Sequence, residues 1–522
     1  MPADSARQTE DQREVAAFLE DPATHGGRPV ERFDTHGAMV FLAADRAYKI
    51  KRAVKYPYMD FSTLERRRWA CEREIALNRR TAPQLYLRAL AITRSADGGL
   101  ALDGDGEAVE WAVEMKRFDQ ADLLDRQAQE GALTPEIMIE LADRIARFHA
   151  SADPIDATAP GTESGGGRAG LAWVIEETLE ELAEWPELFP PDKVAALAER
   201  ARARLEALAP LLERRLAEGF VRRCHGDLHL RNICLIDGAP TLFDCIEFND
   251  KLACIDVAYD LAFLLMDLEH RGLRALANLV LNRYLQRTGD LSGAGALALF
   301  LAARALVRAK VAASAEATQE DPQRRQAARR EARSYLAQAA GYLDPAPARL
   351  VAIGGLSGTG KTTLARALAP DLGAAPGAVH LRSDVIRKEL WGVGETDRLP
   401  DSAYQAQANE EVYAAIRARA GRLLAAGRSV IADAVWARPR ERAELEAVAR
   451  EHRVPFQGLW LAADSGTLIA RVEDRRGDAS DATAAVVRRQ LDYETGPIRW
   501  PRLDAGREAP ELLRAAQAAL DL

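Results

Sequence analysis

The chain has 522 residues, 48% of them hydrophobic, and a formal net charge of −9. That length exceeds one ordinary core and predicts two or three domains, and the acidic balance argues against a general electrostatic grip on a nucleic-acid backbone. The five cysteines form no CxxC pair, which argues against a zinc site or a disulfide framework and fits a reducing cytoplasm.

In chain order, residues 8–20 predict a short helix and 37–52 a two-stranded hairpin turning at "AADR". A helix over 61–81 follows, with strands at 85–93 and 109–116, so the chain up to about 118 reads as a small β-rich lobe. Helices then dominate: 134–151, 171–184, 191–218, 256–270, 272–287, 294–318 and 322–342. The stretch 154–170 reads as a Gly/Ser/Thr/Pro-rich insertion and "LDPAPAR" at 343–349 as a linker. After 349 strands and helices alternate, with helices at 361–370, 384–391, 403–426, 438–452, 465–475 and 481–493, the pattern of a parallel sheet flanked by helices. The most apolar stretch, 293–313, is broken by Arg304, Arg308 and Lys310, and the N-terminus has no apolar core of signal-peptide type, so no membrane association is expected.

Only nine of the 70 basic residues are lysine, at 49, 51, 55, 116, 193, 251, 310, 361 and 388. Lysine presents a compact point charge and arginine a rigid planar fork, so the retained lysines mark positions where that difference matters. Lys49 and Lys361 both lie where phosphate chemistry would want them.

The sharper motif is "GLSGTGKT" at 355–362, which fits GxxxxGK[ST] between an apolar strand and a helix. Backbone amides of Gly355, Ser357, Gly358, Thr359 and Gly360 and the helix N-terminus would cradle phosphates. Lys361 would reach the β- and γ-phosphate oxygens, Thr362 would hold Mg²⁺, and Thr363 continues the cradle into the helix. "RSVIADA" ends an apolar strand at Asp433, a carboxylate placed to hold the metal. Asp384 and Arg387 follow the second strand of this half at its carboxyl edge, where ligands of open α/β sheets sit.

A second phosphate-handling set lies upstream. "RCHGDLHLRNICL" at 223–235 offers Asp227 to orient and deprotonate an acceptor hydroxyl and Asn232 to hold a metal, and Asp244 in "TLFDCIEF" offers a second metal ligand. "ICLIDGAPTLFD" between them reads as a hairpin around a Gly-Pro turn. Lys49 in "RAYKIKR" can reach the nucleotide phosphates, with Glu74, or in second place Glu72, fixing it from a helix. Asp256, Asp260, His225 and His229 are expected to brace the loop.

These residues carry two resemblances. Residues of about 30–345 resemble the aminoglycoside-phosphotransferase-like branch of the protein-kinase fold, whose loop reads HGDxxxxN. Gly226 replaces the arginine that clasps a phosphorylated activation loop, "DCI" replaces DFG, and Gly37 stands alone where a glycine-rich loop would precede Lys49. Residues of about 349–520 resemble P-loop small-molecule kinases of the gluconate-kinase and zeta-toxin type. That likeness implies Asp384 as the base and a lid at 468–487 supplying Arg471, Arg475 or Arg476, with Arg475 the chosen catalytic candidate.

The resulting expectation is a multidomain α/β and α+β protein. A bilobal protein-kinase-like domain spans 1–345, with a small lobe of about 30–118 and a helical lobe of about 119–345, and a P-loop parallel α/β/α sandwich spans 346–522. The implied activity is ATP- and Mg²⁺-dependent phosphorylation of hydroxyl groups on small molecules by both halves, in the cytoplasm. In an alternative only the P-loop half is active and the N-terminal half is a nucleotide-binding regulatory module. A nucleotide or nucleic-acid-end kinase is a second alternative, disfavoured by the acidic balance.

Overall fold

A computed structural model of the chain describes residues 9–56, 58–156, 164–474 and 479–522. By compactness it divides into two units, each discontinuous in sequence: Met1–Asp267 with Ala303–Leu336, and Leu268–Ala302 with Ala337–Leu522.

The first unit opens on a six-stranded antiparallel sheet in the order Val30–Asp34, Ala38–Ala43, Arg46–Lys51, Glu107–Lys116, Tyr86–Arg94, Leu100–Leu102. Strand alternation sends successive side chains to opposite faces. Tyr48 and Ile50 therefore pack with Phe41, Leu90 and Ile92 against Leu19 of the helix Arg13–Glu20. Ala47 faces the other way with Leu42 and Val113, against Cys71 and Ile75 of the helix Leu64–Asn78. Lys49 and Lys51 share the parity of Ala47, so both reach toward that helix. Thr63 caps it by accepting from the Arg66 amide at 3.3 Å.

The helical part carries Pro135–Ser151, Gly167–Ala183, Pro191–Ala217 and Val257–His270. Between the last two runs the catalytic-type loop, framed by the antiparallel pair Val221–Arg223 and Cys254–Asp256. The expected hairpin forms between Ile233–Ile236 and Ala239–Leu242. Its turn is Asp237–Gly238, both with positive φ (52° and 79°), rather than a Gly-Pro turn; Pro240 lies inside the second strand. The Asp-Gly pair suits a tight two-residue turn, which needs left-handed backbone at both positions. Part of the expected insertion, 157–163, lies outside the described residues.

The second unit holds a five-stranded parallel sheet in the order Val379–Arg382, Val430–Asp433, Leu350–Gly355, Phe456–Ala462, Arg502–Asp504. Val351, Ile353, Ile431 and Leu459 pack beneath Leu364 and Leu368 of the helix Lys361–Leu368 and Leu512 and Ala516 of the helix Ala509–Ala519.

The division departs from the boundary expected at 345/346. Helix Arg274–Thr288 belongs by compactness to the P-loop unit. Asn278 Nδ2 donates to the Ala378 carbonyl (3.1 Å), Asn282 Oδ1 accepts from the His380 amide (2.7 Å), and Arg274 Nε donates to the Pro370 carbonyl (2.7 Å). These side chains satisfy backbone groups beside Val379–Arg382, the outer strand of the parallel sheet, which would otherwise stay open. Among the described residues no helix is long and apolar enough to cross a membrane. All five cysteines are free and buried.

Candidate active sites

In the first unit, Lys49 Nζ donates to Glu74 Oε1 at 2.9 Å and to Asp244 Oδ1 at 2.6 Å. Burial by itself would discharge Lys49, but the Asp244 and Glu74 carboxylates hold its ammonium well above the ordinary lysine value. Glu74 is fully buried; against the penalty of burial, Lys49 and Lys51 hold its carboxyl down to about 2. Glu72, the other candidate, is exposed and pairs along its own helix with Arg68. Asp244 adopts φ 62°, with its amide donating to the Tyr86 hydroxyl at 3.0 Å.

Asp227 is half-buried, and its Oδ2 accepts from Asn232 Nδ2 at 2.8 Å and lies 3.3 Å from His229 Nε2. Burial would raise its carboxyl, yet His229, His225 and Arg308 hold it well below the usual range, so Asp227 stays ionised. Asp260 is the brace. Its Oδ1 accepts from the Gly226 amide (2.9 Å), and its Oδ2 accepts from the His225 amide (3.1 Å) and contacts His149 Nε2 (3.0 Å). Asp256 pairs with Arg215 through two 2.8 Å bonds, and His225 Nε2 meets the Phe243 carbonyl at 2.9 Å.

In place of a glycine-rich loop there is a tight turn closed on itself: the Thr35 amide donates to the Ala38 carbonyl (2.9 Å) and the Ala38 amide to Thr35 Oγ1 (3.0 Å). His36 at its tip stands within electrostatic range of Asp227, Arg52, Asp244 and Lys49. No motif in the sequence singles out His36, because its place beside the site comes from the turn rather than from spacing.

In the second unit, Gly355, Gly358 and Gly360 take φ of 139°, 87° and 80°, which residues with a side chain rarely adopt. A Cβ on Gly358 would meet the Leu468 carbonyl oxygen at 2.5 Å, whereas one on Gly360 would enter open space. The loop is therefore packed tightly behind and open in front, which fits a phosphate cradle. The Ser357 amide donates to Gln490 Oε1 (2.8 Å), and Thr359 Oγ1 is turned to the Leu356 carbonyl (2.8 Å). Lys361 Nζ also donates to the Leu356 carbonyl, at 3.1 Å. Thr363 is exposed.

Thr362 Oγ1 donates to Asp433 Oδ2 at 2.6 Å, and His380 Nε2 lies 3.2 Å from the same oxygen. Burial opposes ionisation of Asp433, but His380, Lys361 and Arg382 bring it down to about 2. Asp384 moves the other way, pushed up by burial against the pull of Arg382 and Lys361. Nearby, Asp481 is held by Lys388 Nζ (2.9 Å), the Tyr404 hydroxyl (2.7 Å) and the Leu399 amide (3.0 Å). Arg387 stacks on Tyr404 at 4.9 Å and donates to Asn409 Oδ1 at 2.8 Å. Of the lid arginines, Arg471 donates to the Ala505 carbonyl at 2.8 Å, while Arg475 and Arg476 lie outside the described residues.

An uncharacterized protein of Mycobacterium tuberculosis is 33% identical over 475 residues, covering 89% of this chain and 90% of the relative. An uncharacterized protein of Mycobacterium bovis matches with the same figures. The chain belongs to their family. Within it, residues 69–300 match the model of the phosphotransferase enzyme family and residues 350–497 that of an AAA domain. This family member is thus a fusion of an aminoglycoside-phosphotransferase-like domain, of protein-kinase-like fold, with a P-loop kinase domain. Kinase domains of these two types imply use of ATP, typically with Mg²⁺. Among solved structures, a gluconokinase from Sinorhizobium meliloti is 24% identical, covering 34% of this chain and 92% of its own, with a TM-score of 0.24. A choline/ethanolamine kinase family protein from Mesorhizobium loti is 16% identical, covering 62% and 98%, with a TM-score of 0.37.

Proposed function

We infer that the chain is a bifunctional ATP- and Mg²⁺-dependent phosphotransferase, each half phosphorylating a hydroxyl group of a small molecule in the cytoplasm. One observation carries this reading: each unit sets a lysine beside carboxylates suited to a metal. Lys49 lies 2.6 Å from Asp244; Asp433 lies 2.6 Å from Thr362 and feels the charge of Lys361.

In the N-terminal site Asn232 and His229 both address Oδ2 of Asp227. That orients Oδ1 to receive the proton of an acceptor hydroxyl, and the ionised state of Asp227 keeps it ready to do so. Asn232 and Asp244 would hold the metal there, and Thr362 and Asp433 in the P-loop site. Bound Mg²⁺ would neutralise charge on the phosphate oxygens. In the P-loop site Asp384 is the proton acceptor. Its raised carboxyl brings it nearer to neutral pH, where a general base works best. The nine lysines and many arginines leave the net charge at −9, in keeping with small acceptors rather than nucleic acid.

Asp227→Ala and Lys361→Ala variants of the full chain test this reading. Each is expected to remove a separate share of ATP turnover, and a variant that leaves all turnover intact removes its half from the list of active enzymes. One observation favours the second reading, a nucleotide-binding regulatory N-terminal half: the Thr35 and Ala38 amides bond within their own turn rather than facing a phosphate. Mg·ATP binding without any Lys361-independent turnover would select it.

A further inference from the structure

Lys51 is one of the nine lysines, and buried carboxylates of the protein itself meet its charge. Its side chain is 3% exposed, and its ammonium donates to Glu74 Oε2 and Glu247 Oε1, which are themselves 0% and 4% exposed. The ring of Phe61 closes one side, its centroid 5.3 Å from the ammonium. Glu74 gives its other oxygen to Lys49, at 2.9 Å. Glu247 stands in "FDCIEF", three residues beyond Asp244. Lys51 therefore ties the carboxylate that holds Lys49 to the segment that presents Asp244.

The intervening backbone is pinned as well. The Cys245 amide donates to Asn78 Oδ1 (2.8 Å) and the Ile246 amide to the His225 carbonyl (3.0 Å). This fixing is needed because Asp244 sits at φ 62°, a backbone state that is unfavourable for a non-glycine residue and persists only where its surroundings hold it. Stability alone does not account for the pair. A buried ion pair is often no better than an apolar pair of the same volume, and its best-attested use is to fix register. Burial pushes the Glu247 carboxyl up, so the site accepts an unfavourable charge in order to keep the contact. An arginine fork would not serve as a compact point charge between two converging carboxylates.

We propose that Lys51 and Glu247 are positioning residues: they lock Glu74 and the strained Asp244 in the register that accepts a Mg²⁺–nucleotide complex. The lock stands in for the activation segment that other kinase-fold proteins use, since Gly226 offers no arginine clasp before Asp227. This inference rests on the reading of the N-terminal site as a phosphotransfer site.

The test uses the full chain carrying Lys361→Ala, which silences the P-loop half, and measures ATP binding by calorimetry across a Mg²⁺ series. Glu247→Gln is expected to raise the Mg²⁺ concentration for half-maximal ATP binding by about tenfold, the size of effect seen when a residue behind a metal ligand is lost. The double variant Lys51→Met/Glu247→Leu removes the pair without stranding a charge, so it should stay folded by circular dichroism and show the same shift; Glu247→Asp should fall between. A folded double variant with the parent's Mg²⁺ requirement would overturn the lock and leave the phosphotransfer reading standing. Absence of Mg²⁺-dependent ATP binding in the Lys361→Ala parent would overturn both.

Discussion

The two units hold the lysine proposed to bind phosphate in different ways. Lys361 projects from the first turn of a helix and donates to a carbonyl five residues back in its own loop. Lys49 projects from a strand and is gripped by carboxylates 25 and 195 residues away. The first arrangement is local, so its geometry follows from glycines that permit left-handed backbone and from the helix terminus behind them. The second exists only when sheet, helix and loop have folded together. It follows that substitutions distant from the chemistry should disturb the N-terminal site more readily, whereas the P-loop site should fail mainly through its own short loop.

Cutting the chain gives the largest expected effect. A fragment of 346–522 lacks Asn278, Asn282 and Arg274, whose side chains satisfy groups at Ala378, His380 and Pro370. It is expected to aggregate on expression, while the same fragment supplied with 268–302 through a short linker should give a cooperative thermal transition. Equal behaviour of the two fragments would show the outer strand to be self-sufficient.

Next in size are the two proposed bases. Asp227→Ala in a Lys361→Ala background, and Asp384→Ala in an Asp227→Ala background, should each lower the remaining ATP turnover by about 10²–10⁴-fold, read from single-turnover rates. Gly358→Ala comes third. Its φ of 87° and the Leu468 carbonyl oxygen 2.5 Å from where a Cβ would lie predict about 1–3 kcal/mol of strain, seen as a lowered melting temperature of the P-loop unit with turnover at Asp227 unchanged.

The subtlest test is the acid limb of each reaction. Asp227 is held below the usual carboxylate range and Asp384 above it. A base works when ionised, so its activity is lost as pH falls through its own pKa. The P-loop half should therefore lose turnover at a higher pH than the N-terminal half, measured with the opposite half silenced. Coincident limbs would remove Asp384 as the base. As a control, Glu72→Gln should leave both activity and stability nearly unchanged, because Glu72 is exposed and its ion pair is with Arg68 of its own helix.

Much of this was legible in the chain. The alternation after 349 announced the parallel sheet, and the run of long helices after 119 the helical lobe, because periodic burial writes itself into the order of apolar residues. Three elements show what escaped. Val30–Asp34 is an edge strand exposed at four of its five positions, so it has no apolar alternation to read. Arg502–Asp504 is three residues long, and Ala509–Ala519 buries Leu512 and Ala516 among many alanines, a contrast too faint to stand out.

The order and spacing of Lys49, Glu74, Asp227, Asn232 and Asp244, and the continuous string from Gly355 to Thr362, were set by the sequence alone. Chemistry that depends on neighbours along one strand, loop or helix is encoded where it can be seen. Only the tertiary structure brought His380 to Asp433, grouped helix Arg274–Thr288 by compactness with the P-loop unit and placed Lys51 against Glu247. Those choices turn on which faces meet once separate elements pack, and on which charges must share a buried space. Neither quantity has a local signature in the order of residues.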